Sequence, residues 1–295
     1  MTVALVAQPG AFLAPLVAQL SSAGGGVLQL LTGSYSGPVV VPANVSLVGE
    51  GWGTKIMGPL LPPVAQRGAE TASAAAPVIR LSGSGSSLRH LAIVGRVGTA
   101  IEVTGPDALV EDVFIECPDI GLSIVGTGRT SVKRLHGQPL LQGIVVDDAQ
   151  DVVRFDDVHF WPYYKLGASS AGTAITLLRA DNPQLSNIFA FGYDVGLLLG
   201  CSKYGSSHKV HMVNADFDSC ATAIVVHTKD RQATLFGSAV TGQPSQRPGT
   251  TAVHLVSGAA LVDLWSSQFL DYAKPVTCAP GTKGSITING RTVNA

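Results

Sequence analysis

The sequence predicts an all-β fold, a parallel β-helix built of roughly ten stacked coils. Two short apolar segments recur together along most of the 295-residue chain, which indicates an internal repeat. The repeat is about 22 residues long, and a coil of that length can return to stack on the previous one at about 4.8 Å. With 34 glycines, 46% hydrophobic and only 13% charged residues, the chain can form many tight turns around a large core.

The first segment of each repeat is a short alternating strand. Its copies begin at Ile79, Ile101, Leu122, Ile144, Ile175, Leu197, Ile224 and Val253. The steps between these residues are 22, 21, 22, 31, 22, 27 and 29 positions, which indicates a basal coil with occasional loop insertions. Insertions are where such a scaffold usually acquires function, because stacking constrains the coils and leaves the loops free to vary.

The second segment has an apolar residue at its first position and, in most copies, at its fourth and sixth positions. Its copies begin at Leu88, Val110, Val132, Phe155, Leu185, Met212, Leu235 and Leu264. A leucine-rich repeat has a similar pattern but carries one strand per repeat, and a propeller blade needs roughly 40 residues for its four strands. Two strands in a shorter repeat therefore favour the β-helix.

We expect residues 1–26 to form an N-terminal cap segment and residues 27–295 to form the β-helix, within a single domain. The glycines Gly24–Gly26 would end a short capping helix. The residues that would share its apolar face are Phe12, Leu13, Leu16, Val17 and Leu20. The chain begins with an apolar stretch, but its first basic residue is Lys55, so we expect no signal peptide.

Two short motifs follow this segment. The first is Gly33-Ser34-Tyr35, and the second is Pro42–Gly51, with the sequence PANVSLVGEG. Together with the preceding helix and glycine-rich turn, they resemble the N-terminal region of the pectate-lyase-like, right-handed parallel β-helix proteins, which carry G-x-Y and then P-x-N-V-x-L-x-G-x-G. The resemblance implies a right-handed coil and leaves the activity open, because one fold hosts many functions.

The alignment of the second segments sorts their polar residues into columns. Two positions after the first apolar residue lie His90, Asp112, Arg134, Asp157, Asn187, Asn214, Gly237 and Ser266. Asn, Asp and Gly tolerate the left-handed backbone of a sharp turn, so we interpret this column as turn-forming.

The preceding column reads Arg89, Glu111, Lys133 and Asp156, whose alternating charges predict a salt-bridge ladder. The alternative makes Glu111 and Asp156 an acid/base pair about 9.6 Å apart.

A third outward column places two imidazoles on adjacent coils beside aromatic rings. Its members are Phe114, His136, His159, Phe189 and Asp216. Histidine is a natural general base near neutral pH, and aromatic rings bind sugar faces, although an ordinary outward sheet face is the alternative.

An aromatic loop follows His159 directly. The candidates for carbohydrate binding or partner docking are therefore His159, Trp161, Tyr163, Tyr164, Lys165 and Phe189. Alternatively, the loop rings pack back on the coil.

The outward column of the first strands has an apolar middle section. It contains Val145, Thr176, Leu198 and Val225. A continuous apolar strip marks an interface, and lateral association of parallel coils favours a homotrimer. Trimeric β-helices of this kind resemble bacteriophage tail spikes and related virion appendages.

Composition narrows the partners and ligands. The net charge of −1 argues against nucleic acid, which calls for a basic surface. The apolar runs are too short for membrane insertion, which needs about 20 residues. The four cysteines lack zinc-site spacing, so we expect reduced thiols, with a Cys201–Cys220 bridge as the alternative, and no metal or cofactor.

These observations predict a phage-like virion protein that assembles in the host cytoplasm. It would be a tail spike, fibre component or decoration protein that binds host-surface glycans or other virion proteins. One alternative is a polysaccharide hydrolase or lyase whose catalytic candidates are Glu111, Asp156, His136, His159 and Asp181. The polygalacturonase order N-T-D, D-D, G-H, R-x-K is absent and no pectate-lyase calcium site is evident, which leaves enzymatic activity uncertain. A purely structural assembly protein is the third hypothesis.

Overall fold

In a computed structural model the described residues are 3–59, 76–163, 172–229, 233–244 and 250–294. They form a parallel β-solenoid of about 11 turns, which confirms the predicted fold class. In chain order the elements are β1 (Val3–Ala7), α1 (Leu13–Ser22), β2 (Gly26–Leu30), β3 (Gly33–Ser36), β4 (Val39–Val41), β5 (Val45–Val48), β6 (Thr54–Met57), β7 (Ile79–Leu81), β8 (Ser87–Val94), β9 (Thr99–Val103), β10 (Leu109–Glu116), β11 (Ile120–Val125), β12 (Ser131–Gly137), β13 (Gln142–Asp147), β14 (Arg154–Phe160), β15 (Thr173–Leu177), β16 (Gln184–Phe191), β17 (Val195–Leu199), β18 (Cys201–Ser202), β19 (Gly205–Ser206), β20 (Val210–Asp218), β21 (Thr222–His227), β22 (Ala233–Gln243), β23 (Thr251–Ser257), β24 (Ala259–Trp265), β25 (Gln268–Phe269), β26 (Lys274–Cys278), β27 (Lys283–Ile288) and β28 (Arg291–Asn294).

The strands form two large sheets, one for each segment of the repeat. The first segments build a ten-stranded parallel sheet that runs from β4 to β26. The second segments belong to a sixteen-stranded sheet that is parallel except for the final antiparallel pair, β27 and β28. Each coil contributes to both sheets, so consecutive coils bury one continuous apolar core.

The predicted register of the first strands is confirmed. Ile79 pairs with Ile101, and the column continues coil by coil to Val253. The structure adds one strand at each end of this column, with Val39 before Ile79 and Val276 after Val253. The inward positions of the column are buried from Val39 to Val253, which is why the aliphatic period could be recognised in the sequence.

The register of the second strands is confirmed as far as Met212 and is wrong in the next coil. Leu235 pairs with Val210, and Met212 lies opposite Gly237 instead of Leu235. Gly237 occupies an inward position, where an added Cβ would lie 2.7 Å from Cδ2 of Leu264. A glycine that fills a crowded core position resembles a turn residue in the sequence, and this produced the two-residue error.

Each long second strand bends at one left-handed residue, as predicted for the turn column. The φ angles are 53° at His90, 53° at Asp112, 51° at Arg134, 58° at Asp157, 54° at Asn187, 52° at Asn214 and 50° at Ser266. Gly237 is the exception: the prediction placed the bend of that coil there, and the structure has it at Ala239, with φ of 51°. The bend divides each strand into a pre-bend wall and a post-bend wall.

Replacing Ala239 with glycine is expected to stabilise the protein by about 0.5–1 kcal/mol. An L-residue in the left-handed region is strained by its Cβ, and glycine removes that strain at some cost in unfolded-state entropy. Ala239 is exposed, so no packing is lost. Equilibrium urea unfolding measures the change, and an unchanged or lower midpoint would contradict the assignment of this bend.

The predicted capping helix is confirmed as α1, and its end follows the predicted glycines. The N–H of Gly25 donates to the carbonyl of Leu20 at 2.9 Å. Leu13 and Val17 are buried together with Leu20, whereas Phe12 lies at the N-cap and is 84% exposed, so its predicted place on the buried face was wrong. Residues 3–7 add an unpredicted strand, β1, which pairs with β2 beside the helix.

The four cysteines are free, as predicted, which excludes the alternative bridge. Large side chains fill the coil interior, among them Phe155, Phe160 and Phe217. The hydroxyl of buried Tyr193 donates to the carbonyl of Pro139 at 2.9 Å. The buried hydroxyl of Tyr193 is therefore satisfied by a carbonyl that lies two coils earlier.

Candidate functional site

The candidate site lies on the post-bend wall, where one outward column carries rings. Phe114, His136, His159 and Phe189 are register partners on β10, β12, β14 and β16. Because neighbouring parallel strands lie about 4.8 Å apart, this register brings the ring of His159 into contact with those of His136 and Phe189. The ring centroids are 5.5 Å apart for His136 and His159, and 4.6 Å apart for His159 and Phe189, both edge-on.

Two tryptophans from outside this column complete the surface. Trp161 lies 4.8 Å from the ring of His159 and 6.0 Å from that of Phe114. Trp52 lies 5.2 Å from Phe114 and 5.9 Å from His136, centroid to centroid. We call the resulting set the ring platform, and its members are Trp52, Phe114, His136, His159, Trp161 and Phe189.

Sequence reasoning missed Trp52. It lies in the turn between β5 and β6, outside the repeated columns, and its indole N–H donates to the carbonyl of Asp112 at 3.3 Å. Its ring is 38% exposed, so it both packs on the column and offers a free face. The only signal in the sequence was an aromatic residue directly after the P-x-N-V-x-L-x-G-x-G motif.

The predicted aromatic loop is partly described. Trp161 joins the ring platform, and the hydroxyl of Tyr163 donates to Oε1 of Glu116 at 3.4 Å. Tyr164 and Lys165, also predicted to bind, lie outside the described residues. The rings of Trp161 and Tyr163 are half-buried, so they pack on the coil and still present a surface.

A chain of charged groups borders the ring platform along the bend. Nδ1 of His90 lies 2.9 Å from Oδ2 of Asp112, and Nε2 of His136 lies 3.1 Å from Oδ1 of Asp157. Arg134 stands between the two carboxylates, 3.6 Å from Asp112 and 3.7 Å from Asp157. The side chains of the turn column therefore pair with one another along the solenoid.

Two of the carboxylates considered as catalytic lie on the pre-bend wall. Glu111 is 3.6 Å from Nε of Arg89, which is the only pair of the predicted salt-bridge ladder Arg89–Glu111–Lys133–Asp156 that lies within ion-pair distance, all four residues being described. Asp156 accepts hydrogen bonds from Oγ of Ser186 at 2.7 Å and Nδ2 of Asn187 at 2.8 Å. These bonds, with the charge of Lys133, hold the pKa of Asp156 below its usual range. Asp156 is thus a stable anion, which does not suit a proton donor.

Asp181, the third carboxylate considered, is separate from both walls. Its Oδ1 lies 3.0 Å from Nε2 of His208 and 3.5 Å from Nζ of Lys209. It follows β15 at the corner that leads to β16. No contact in the described part of the chain joins Asp181 to the ring platform.

His159 lies near the centre of the ring platform and differs from an exposed histidine. Burial among the rings lowers its pKa from the usual value of 6.5, and the neighbouring His136 lowers it further. The imidazole of His159 is therefore neutral at pH 7, and its ring acts there as an uncharged aromatic surface.

Acidification is expected to destabilise the protein through His159. The pKa of His159 is lower in the folded state than the value of about 6.5 expected in the unfolded state. Well above pH 6.5 both states are neutral at this residue, so it does not affect the free energy of unfolding. Below that pH the unfolded state binds the proton more readily, and the folded state is destabilised. The melting temperature should therefore fall as pH drops from about 7.5 to 5, and less steeply in His159→Gln. Thermal melts across this range measure the difference, with His211→Gln, an exposed histidine elsewhere, as the control. Equal slopes in wild type and His159→Gln would contradict the prediction.

The strip proposed as a subunit interface is only partly exposed in the single chain. The register of adjacent strands places Val145 beside Thr176, Thr176 beside Leu198, and Leu198 beside Val225. The three apolar residues of this strip are half-buried. Thr176 is 2% exposed, so its side chain is already covered within one chain. The strip available to another molecule is thus narrower than the sequence indicated.

Among the described residues, no group of three or more His, Cys, Asp or Glu side chains is arranged to hold a metal ion. No helix within the described ranges is both long enough and apolar enough to cross a membrane.

No protein-family model and no curated protein sequence matches this chain. Solved structures match its fold. A mutant tailspike protein of E. coli bacteriophage HK620 in complex with a pentasaccharide has a TM-score of 0.63 at 11% identity, over 94% of this chain. Another mutant of that tailspike, in complex with a hexasaccharide, has a TM-score of 0.63 at 12% identity, over 96% of this chain. The chain spans 62% of the tailspike chains it matches. The similarity therefore shows a shared parallel β-helix fold.

Proposed function

We propose that this protein is a glycan-binding component of a phage-like virion, and that the ring platform is its glycan site. The observation that carries the proposal is the continuous contact of six rings along the post-bend wall. Aromatic faces pack against the C–H faces of sugars, and the polar groups beside them bind hydroxyls.

The dimensions of the ring platform suit an oligosaccharide. The four rings of the column lie on four consecutive strands, which corresponds to about 14 Å from the first to the last. That length accommodates about three sugar residues. The border of Asp112, Arg134 and Asp157 supplies donors and acceptors along one side.

The virion assignment is supported by the fold comparison. Both tailspike structures named above hold oligosaccharides, and they share the parallel β-helix with this chain. A stiff solenoid with a glycan site on its side is suited to a tail spike or fibre that contacts a bacterial surface polysaccharide. The same solenoid would also suit a decoration protein that contacts other virion proteins.

Intrinsic fluorescence tests the glycan site directly. Two of the three tryptophans, Trp52 and Trp161, lie in the ring platform, and Trp265 lies on the pre-bend wall. Titration with oligosaccharides from bacterial surface polysaccharides should change the emission, and the change should persist in Trp265→Phe. The proposal fails if no such glycan alters the emission or binds by calorimetry.

A second candidate function is glycan cleavage at the same site. The observation that favours it is the pairing of His136 with Asp157 at 3.1 Å beside the rings. A carboxylate that orients an imidazole is a common arrangement for a general base. Incubation with a bound polysaccharide, followed by assays for reducing ends and for unsaturated products, tests hydrolase and lyase activity. Product formed by wild type and lost in His136→Ala would establish cleavage, and binding without product would exclude it.

We further propose that the chain associates as a homotrimer through the first-strand strip. Val145, Leu198 and Val225 supply its apolar surface, and Thr176 contributes little because it is covered. Light scattering after size exclusion should then give about three times the chain mass of 30.4 kDa. A monomer at micromolar concentration would refute the trimer without affecting the glycan site.

A further inference from the structure

Resting on the proposed glycan site, we infer that its ligand is an uncharged polysaccharide and that acidic glycans, rich in uronate, sialate or phosphate, are excluded. The argument depends on the charges that surround the ring platform. These charges lie on the same post-bend wall and at both ends of the row of rings.

Carboxylates continue the platform at the end nearer the C-terminus. Asp216 is the register partner of Phe189, so it occupies the next position in the same outward column. Asp218 lies two residues further on the same strand, where it pairs with Phe191. Alternate residues of a strand point to the same face at about 7 Å spacing, so the two carboxylates face a ligand together.

A third carboxylate lies at the other end. Glu116 is two residues beyond Phe114 on β10 and accepts a hydrogen bond from the hydroxyl of Tyr163 at 3.4 Å. Like Asp216 and Asp218, it is half-buried on the outward face. A ligand that covers the rings from Phe114 to Phe189 would therefore meet carboxylates at both ends.

Cations do not neutralise these three groups within the described part of the chain. Glu116, Asp216 and Asp218 form no ion pair there. Arg134, the nearest guanidinium of the border, lies between the carboxylates of Asp112 and Asp157. Among the described residues, the outward column of the rings also contains Lys55. It is the register partner of Ala92, which in turn precedes Phe114 in the column, so Lys55 lies two strands before the first ring. The central imidazole of His159 is neutral at pH 7 and adds no positive charge.

This arrangement distinguishes ligands by charge. An ionised carboxylate accepts hydrogen bonds and donates none, so it binds sugar hydroxyls and amide N–H groups well. A ligand carboxylate or phosphate placed beside Glu116 or Asp216 would meet like charge, and both groups would lose water without gaining a partner. We expect an acidic glycan to bind at least about tenfold more weakly than its neutral counterpart.

A matched pair of ligands tests the inference. A uronate-containing oligosaccharide and its carboxyl-reduced form share one backbone and differ only in charge. Calorimetry or tryptophan fluorescence should show tighter binding of the reduced form, with a ratio of about ten or more at low salt. The ratio should shrink in Asp216→Asn/Asp218→Asn and should persist in Asp151→Asn, which changes an exposed carboxylate at another corner.

The outcomes separate this inference from the proposed function. If no glycan of either kind binds, the ring platform is not a glycan site and both fail. If the acidic form binds as tightly as the reduced form, and Trp161→Ala abolishes both, the glycan site stands and the charge inference is overturned. A preference for the reduced form that disappears in the double variant supports both.

Discussion

Replacing Phe155 with alanine is expected to lower the free energy of unfolding by about 3–5 kcal/mol. The ring is 1% exposed and lies in the inward column between Val132 and Leu185 of the adjacent coils. Its removal leaves a cavity that these neighbours cannot fill, because each coil is held by hydrogen bonds on both sides. Equilibrium unfolding in guanidinium, followed by circular dichroism, measures the loss.

The control for this prediction is Phe236→Ala. Phe236 is 41% exposed on β22, so its truncation removes little buried surface and is expected to cost under about 0.5 kcal/mol. Comparable losses in the two variants would contradict the assignment of Phe155 to the coil interior.

Replacing Trp161 with alanine is expected to weaken glycan binding by about 10- to 100-fold. Trp161 contacts both Phe114 and His159, so its removal separates the surface offered by two coils. Tryptophans at the centre of a binding surface commonly contribute 2 kcal/mol or more, which corresponds to roughly thirtyfold in affinity. Calorimetry with the oligosaccharide that binds wild type measures the change.

Trp265→Ala is the matched control. Trp265 is 55% exposed on β24 but lies on the pre-bend wall, as the partner of Ser238. We expect its removal to leave the glycan affinity unchanged. A folded Trp161→Ala variant with wild-type affinity would move the glycan site away from the ring platform, and circular dichroism establishes that the variant is folded.

Much of the fold could be predicted because its repeat is local. The aliphatic residues at the inward positions recur with each coil, and so do the left-handed residues such as Asp112 and Asn187. The error at Gly237 shows the limit of this reasoning, since glycine suits both a left-handed turn and a crowded core position. Only the neighbouring Leu264 decides which of the two it occupies.

The candidate site could be predicted where it coincides with a column or, as at Trp161, directly follows one. His136, His159 and Phe189 were found because one register places them on adjacent strands. Trp52 was missed because it reaches the column from a turn that lies two coils before Phe114. The importance of the carboxylates of Asp216 and Asp218 likewise became evident only once the rings beside them were located.

The coil period, most of the inward positions and most of the bends could be read from the sequence, because they follow from apolar periodicity and from the backbone preferences of single residues. Tertiary structure alone decided which side chains meet. It brought Trp52 onto the rings and covered Thr176. The physical reason is that such contacts join coils and loops distant in sequence, and their geometry depends on loop paths that no repeat encodes.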